Sequence, residues 1–169
     1  MSDNFYNSND GISGGADFSK YWGSEDFSYG ASFPSSSITS ADIHSLGFSN
    51  SSNNDVIISL TLPPEYPAST DITAEIRWGI GVTTGTVNWT IFYGNNSDGS
   101  TPKFTPDGSV SQTDTVPGSA LDLTTSTLTL PGNSEGWSPG DLITFKIQRN
   151  TGVDTAAANA AFKGIYLSI

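Results

Sequence analysis

The chain has 169 residues, 35% of them hydrophobic and 14% charged, and a formal net charge of −11 with only six lysines and arginines. That length holds one domain, and so few cations exclude a phosphate-reading face, so no nucleic-acid partner is expected. No cysteine is present, which rules out disulfides and thiolate chemistry.

No run approaches the ~18 apolar residues of a membrane helix, so no membrane partner is expected. The opening Met1-Ser-Asp-Asn-Phe-Tyr6 has neither a basic nor an apolar stretch, so synthesis in the cytoplasm without a visible export signal is expected. With 18 glycines, a single methionine and no apolar residues recurring at helical spacing, the fold should be nearly all β.

Residues 1–37 differ from the rest. Phe5, Tyr6, Phe18, Tyr21, Trp22, Phe27, Tyr29 and Phe33 stand among Gly, Ser, Asn and Asp, with Ile12 the one branched aliphatic. Scattered rings on a polar chain do not offset the entropy of ordering it into a core of its own, yet a plain linker would not carry them. Two readings stand: the rings pack onto the chain's own domain or a neighbouring subunit, or they anchor an arm on a partner surface. In either case 1–37 is expected to be an extended interaction arm, with Tyr21, Trp22, Phe27, Tyr29 and Phe33 as its partner-binding residues.

Pro34 and the serines at 35–37 mark a boundary, and a domain is expected over 38–169. A weak strand signal covers 38–48. Stronger ones follow at 56–62, stopped by Pro63-Pro64, and at 72–80, where Ile72, Ala74, Ile76, Trp78 and Ile80 share a face. Val87, Trp89, Ile91 and Tyr93 align over 85–93, the stretch 110–116 is polar and weak, and 121–123 and 126–130 alternate again. The turn Ser138-Pro-Gly-Asp141 releases a strictly alternating run with Ile143, Phe145 and Ile147 on one face. The chain ends on a second apolar run, 162–169, which predicts a last, hairpin-like pair of strands. About eight strands separated by Gly, Pro and Asn read as a sandwich or barrel, and eight favour a jelly roll over an immunoglobulin-like sandwich. Ile58, Leu60, Ile76, Trp78, Trp89, Ile91, Phe145 and Ile147 should fill the core.

Five segments carry a resemblance: Thr61-Leu-Pro-Pro-Glu-Tyr66, Ala74-Glu-Ile-Arg-Trp78, Gly85-Thr-Val-Asn-Trp89, the run from Pro139 to Arg149, and Ala161-Phe-Lys-Gly-Ile-Tyr166. Together they resemble the small jelly-roll domain of tailed-bacteriophage structural proteins over roughly 53–169. The resemblance implies an eight-stranded jelly-roll β-sandwich and a homotrimeric capsid decoration (cement) protein. Such a protein would sit on the outer surface of the virion and bind across neighbouring major capsid subunits, with the arm adding buried area and avidity. It implies no catalysis. The other role consistent with it is a phage fibre or a receptor- or carbohydrate-binding module.

The chemistry expected is sparse. His44, the single histidine, has Asp42 two residues away, which on a strand shares its face, but no nucleophile is selected among so many serines. Seventeen acids offer a glycosidase pair no distinguishing spacing. Asn95-Asn-Ser-Asp-Gly-Ser100 has close oxygen ligands but lacks the bidentate Glu of a calcium loop, so a turn is expected, with no metal and no cofactor. If the protein stacks on sugars, Trp137, Phe104 and Tyr66 are the candidates, because Trp78 and Trp89 lie on apolar strand faces.

Overall fold

A computed structural model of the chain describes residues 18–38, 44–96 and 105–169. Asp42, Phe104, the 97–100 part of the asparagine-rich turn and the first 17 residues lie outside them. The described strands are β1 (Ser19–Gly23), β2 (Ser28–Tyr29), β3 (Ser35–Ile38), β4 (His44–Phe48), β5 (Asp55–Thr61), β6 (Ile72–Ile80), β7 (Thr86–Asn96), β8 (Gly108–Thr115), β9 (Thr124–Leu130), β10 (Leu142–Arg149) and β11 (Ala160–Ser168). A single helical turn, α1 (Gly132–Glu135), precedes β10.

The strands form two antiparallel sheets. One runs β3-β4-β11-β6-β9, with β1 also paired to β11; the other runs β2-β5-β10-β7-β8. The jelly-roll β-sandwich read from the sequence is therefore the fold, and its eight expected strands correspond to β4 to β11. The last two strands are not a hairpin: β10 lies in one sheet and β11 in the other, and residues 150–159 cross between them.

Period-2 alternation decides which side chains meet between the sheets. Ile72, Ala74, Ile76, Trp78 and Ile80 of β6 are all fully buried, as are Val87, Trp89 and Ile91 of β7 and Ile143, Phe145 and Ile147 of β10. Trp89 sits at the centre, with ring centroids 5.0 Å from Phe48, 5.8 Å from Phe162 and 6.3 Å from Trp78. The indole N–H of Trp78 donates to Ser126 Oγ at 2.8 Å, which satisfies a donor that burial would otherwise leave unpaired.

Two loop aromatics expected at the surface are core residues. Trp137 packs edge-on against Tyr93 (5.7 Å) and Phe145 (6.1 Å). Tyr66 is buried with its hydroxyl donating to the Thr70 carbonyl.

The segment expected to be an arm is largely sheet where it is described. β1 pairs with β11 from Ser19↔Ser168 to Gly23↔Gly164, β2 pairs with β5, and β3 pairs with β4. Trp22 and Phe27 are buried, and the Phe27 ring meets Phe162 edge-on at 5.1 Å. Their burial corrects the expectation that both are free to anchor a partner: once β1 hydrogen-bonds to β11, its alternation turns Trp22 inward and Tyr21 outward.

Candidate functional site

The chain leaves one sheet at Gly23 and enters the other at Ser28, so residues 23–28 bridge the open edge of the sandwich. Both ends of the bridge are fixed by buried rings, Trp22 and Phe27. The turn between them is closed by Asp26, whose Oδ2 accepts the Gly23 N–H at 2.8 Å while its own N–H donates to the Gly23 carbonyl at 3.1 Å. The Glu25 carboxylate folds back over Gly23, 2.6 Å from where a Cβ would stand, and as the end of an exposed side chain it is free to swing aside.

β2 is only two residues long, and its pairing to β5 stops at Ile57. Beyond that point the edge of β5 has no strand partner among the described residues, and a cleft of about 220 Å³ opens under the bridge. Trp22, Asp26 and Ser28 line it from the bridge, and Ile57, Ile58 and Ser59 line it from β5. Ser59 Oγ and Thr144 Oγ1 share a hydrogen bond at 2.9 Å, and the Lys20 ammonium lies 4.7 Å from the centroid of the Trp22 ring. The cleft therefore combines an aromatic and aliphatic wall with one carboxylate and two hydroxyls.

On the outer face of the same corner stands Tyr21. Its ring is about half exposed, its hydroxyl donates to the Lys163 carbonyl at 3.0 Å, and the Arg77 guanidinium lies 6.0 Å from its centroid. Register places Tyr166 directly across from Tyr21, and Glu75 across from Tyr166. The result is a ring-and-charge platform on the face of β1 opposite to Trp22.

Of the residues expected to bind a partner, Tyr21 and Trp22 reach this corner, one on each face of β1. Phe27 anchors the bridge from inside. Tyr29 belongs to β2, opposite Val56. Phe33 is strongly exposed, and its carbonyl accepts the Asn54 side-chain amide at 3.1 Å, away from the cleft lining. Asp26, Ser28 and Ser59 were not legible as site residues, because single polar residues in a serine-rich chain carry no spacing signal. His44 begins β4 and is exposed. Among the described residues no group of three or more His, Cys, Asp or Glu is placed to hold a metal ion.

Burial raises the Tyr21 hydroxyl above its ordinary value near 10, helped by Glu25 and Asp26 and opposed by Arg77. Burial also raises Tyr66 and Tyr93, the latter with the Glu135 carboxylate beside it. An unfolded chain would ionise these phenols before the folded one does, so stability is fully kept below pH 10 and falls as pH rises through the folded values. Denaturant unfolding between about pH 8 and 11 should show that decline, and Tyr93→Phe should make it shallower.

No protein-family model matches the sequence, and no curated protein matches it. Solved structures do match in shape. A family 35 carbohydrate-binding module from an environmental isolate superposes with a TM-score of 0.57 at 15% identity, covering 88% of this chain and 91% of that one. A family 35 module from Cellvibrio japonicus Abf62 gives 0.58 at 11% identity, covering 89% and 92%. The native family 35 module from Clostridium thermocellum gives 0.53 at 10% identity, covering 89% and 97%. At such identities the likeness establishes the fold: a jelly-roll-like β-sandwich similar to carbohydrate-binding modules.

Proposed function

We propose that this domain is a carbohydrate-recognition module that binds sugar in the edge cleft, without catalysis. The observation that carries the reading is the make-up of the cleft. A pyranose has an apolar C–H face and a rim of hydroxyls, which match the half-buried Ile57 with the small part of Trp22 left uncovered, and the polar groups of Asp26, Ser28 and Ser59. The shared fold of family 35 modules supports it.

A capsid-decoration role was favoured by an arm ahead of the domain. Residues 18–38 contribute strands to both sheets, so that support is gone from the described part of the segment. The homotrimer, the major capsid protein as partner and the virion location rest on the motif resemblance alone.

Titration calorimetry of the whole chain against soluble polysaccharides tests the proposal. Binding to at least one of them, lost when Ser59→Leu fills the cleft while the circular-dichroism spectrum is kept, is the expected result. No binding to any polysaccharide would sink the proposal.

A further inference from the structure

We infer that the edge cleft selects the terminal ring of an uncharged glycan chain, which rests on the carbohydrate reading above and adds charge and chain-end selectivity to it. Size argues for the chain end. At about 220 Å³ the cleft is smaller than the ~300–1,000 Å³ of ordinary ligand pockets, and one sugar ring fills it. The bridge over residues 23–28, fixed at both ends by Trp22 and Phe27, walls the cleft on one side and β5 walls it on the other, and a terminal ring needs only one open side to enter between them.

Charge argues for a neutral ligand. Asp26 uses Oδ2 to close its own turn, and its other carboxylate oxygen has no donor among the described residues. A sugar hydroxyl can supply that donor; a uronate or sulfate would meet a like charge instead, on a chain whose net charge is −11. A cationic ligand is opposed from the other side. The Lys20 ammonium already holds the cation position over the Trp22 ring, where the ammonium of an amino sugar would otherwise be attracted.

The hydroxyls complete the match. Ser28 Oγ has no hydrogen-bond partner among the described residues, and Ser59 Oγ, bonded once to Thr144, keeps capacity for another. Groups that can both donate and accept suit sugar hydroxyls, which do the same.

The test uses the full chain and neutral oligomers of glucose, galactose, mannose and xylose. Each oligomer is compared with its uronate and 2-amino counterparts, and with the same oligomer capped at its non-reducing end by a bulky ketal. One neutral oligomer should bind, its charged counterparts should bind about tenfold more weakly or worse, and the cap should abolish binding. In Asp26→Asn the amide oxygen can still accept the Gly23 N–H, so the turn survives, and the gap between neutral and uronate ligands should narrow at an unchanged melting temperature. Tighter binding of a charged counterpart, or equal binding of the capped oligomer, would refute the selectivity and leave the carbohydrate reading standing. Failure of every oligomer, charged or neutral, would overturn both.

Discussion

Replacing Asp154 by alanine is expected to lower the unfolding free energy by about 3–5 kcal/mol, the cost of stranding a buried charge. The charge is Arg149, whose side chain is fully buried at the end of β10. All five of its N–H groups are used. Nε and one Nη2 hydrogen reach the two Asp154 oxygens at 2.6 and 3.1 Å, Nη1 reaches the carbonyls of Phe48 (3.1 Å) and Ala158 (2.7 Å), and Nη2 reaches that of Ala156 (3.1 Å). One guanidinium therefore ties the last strand of one sheet to the 150–159 crossing loop and to β4 of the other sheet.

Lysine cannot replace it, because a single ammonium has three donors and no fork. Urea unfolding of D154A, R149M and the double variant should show strong coupling, with the double variant milder than the sum of the singles. If D154A unfolds at the wild-type urea midpoint, the clamp contributes nothing to stability.

The sequence revealed the fold wherever burial follows period 2 with apolar residues, as in β6, β7 and β10. It was quiet at β8, whose inward positions include Gln112 and Asp114; a polar interior breaks the apolar-polar contrast that marks a strand. β1 was missed for a related reason. Lys20 shares the Trp22 face but is exposed, with its ammonium over the indole, so the strand shows one buried ring and no apolar alternation. β2 and β3 are too short to show any period. The aromatic richness of 18–33 was visible, but its destination was not, since Trp22 and Phe27 find their partners on β11, far along the chain. Long-range pairing is what local propensity cannot report. The cleft was hidden more completely, because it exists where β2 stops and where a bridge joins two sheets. Neither condition is written in a motif.

Gly164→Ala is the substitution expected to separate β1 from the rest of the sandwich. Gly164 has φ +150°, a conformation side chains rarely adopt, and a Cβ there would fall 2.3 Å from the Trp22 carbonyl oxygen and 2.5 Å from the Tyr21 hydroxyl. Strain and overpacking cost ~1–3 kcal/mol each, and neither obstacle is a flexible side-chain end that could swing away cheaply, because one is backbone and the other is held by the Lys163 carbonyl. The strand facing Gly164 has to move, and β1 is an edge strand held on one side only. Trp22 would then leave its wall of the cleft and Tyr21 its place beside Arg77, while the pairing of β6, β7 and β10 is untouched. The expected outcome is a lower melting temperature, faster amide exchange confined to 19–23 and 164–168, and loss of sugar binding from a domain whose core remains folded. Unchanged exchange in 19–23 would mean that the backbone absorbs the added methyl locally and that the glycine is not what seats β1.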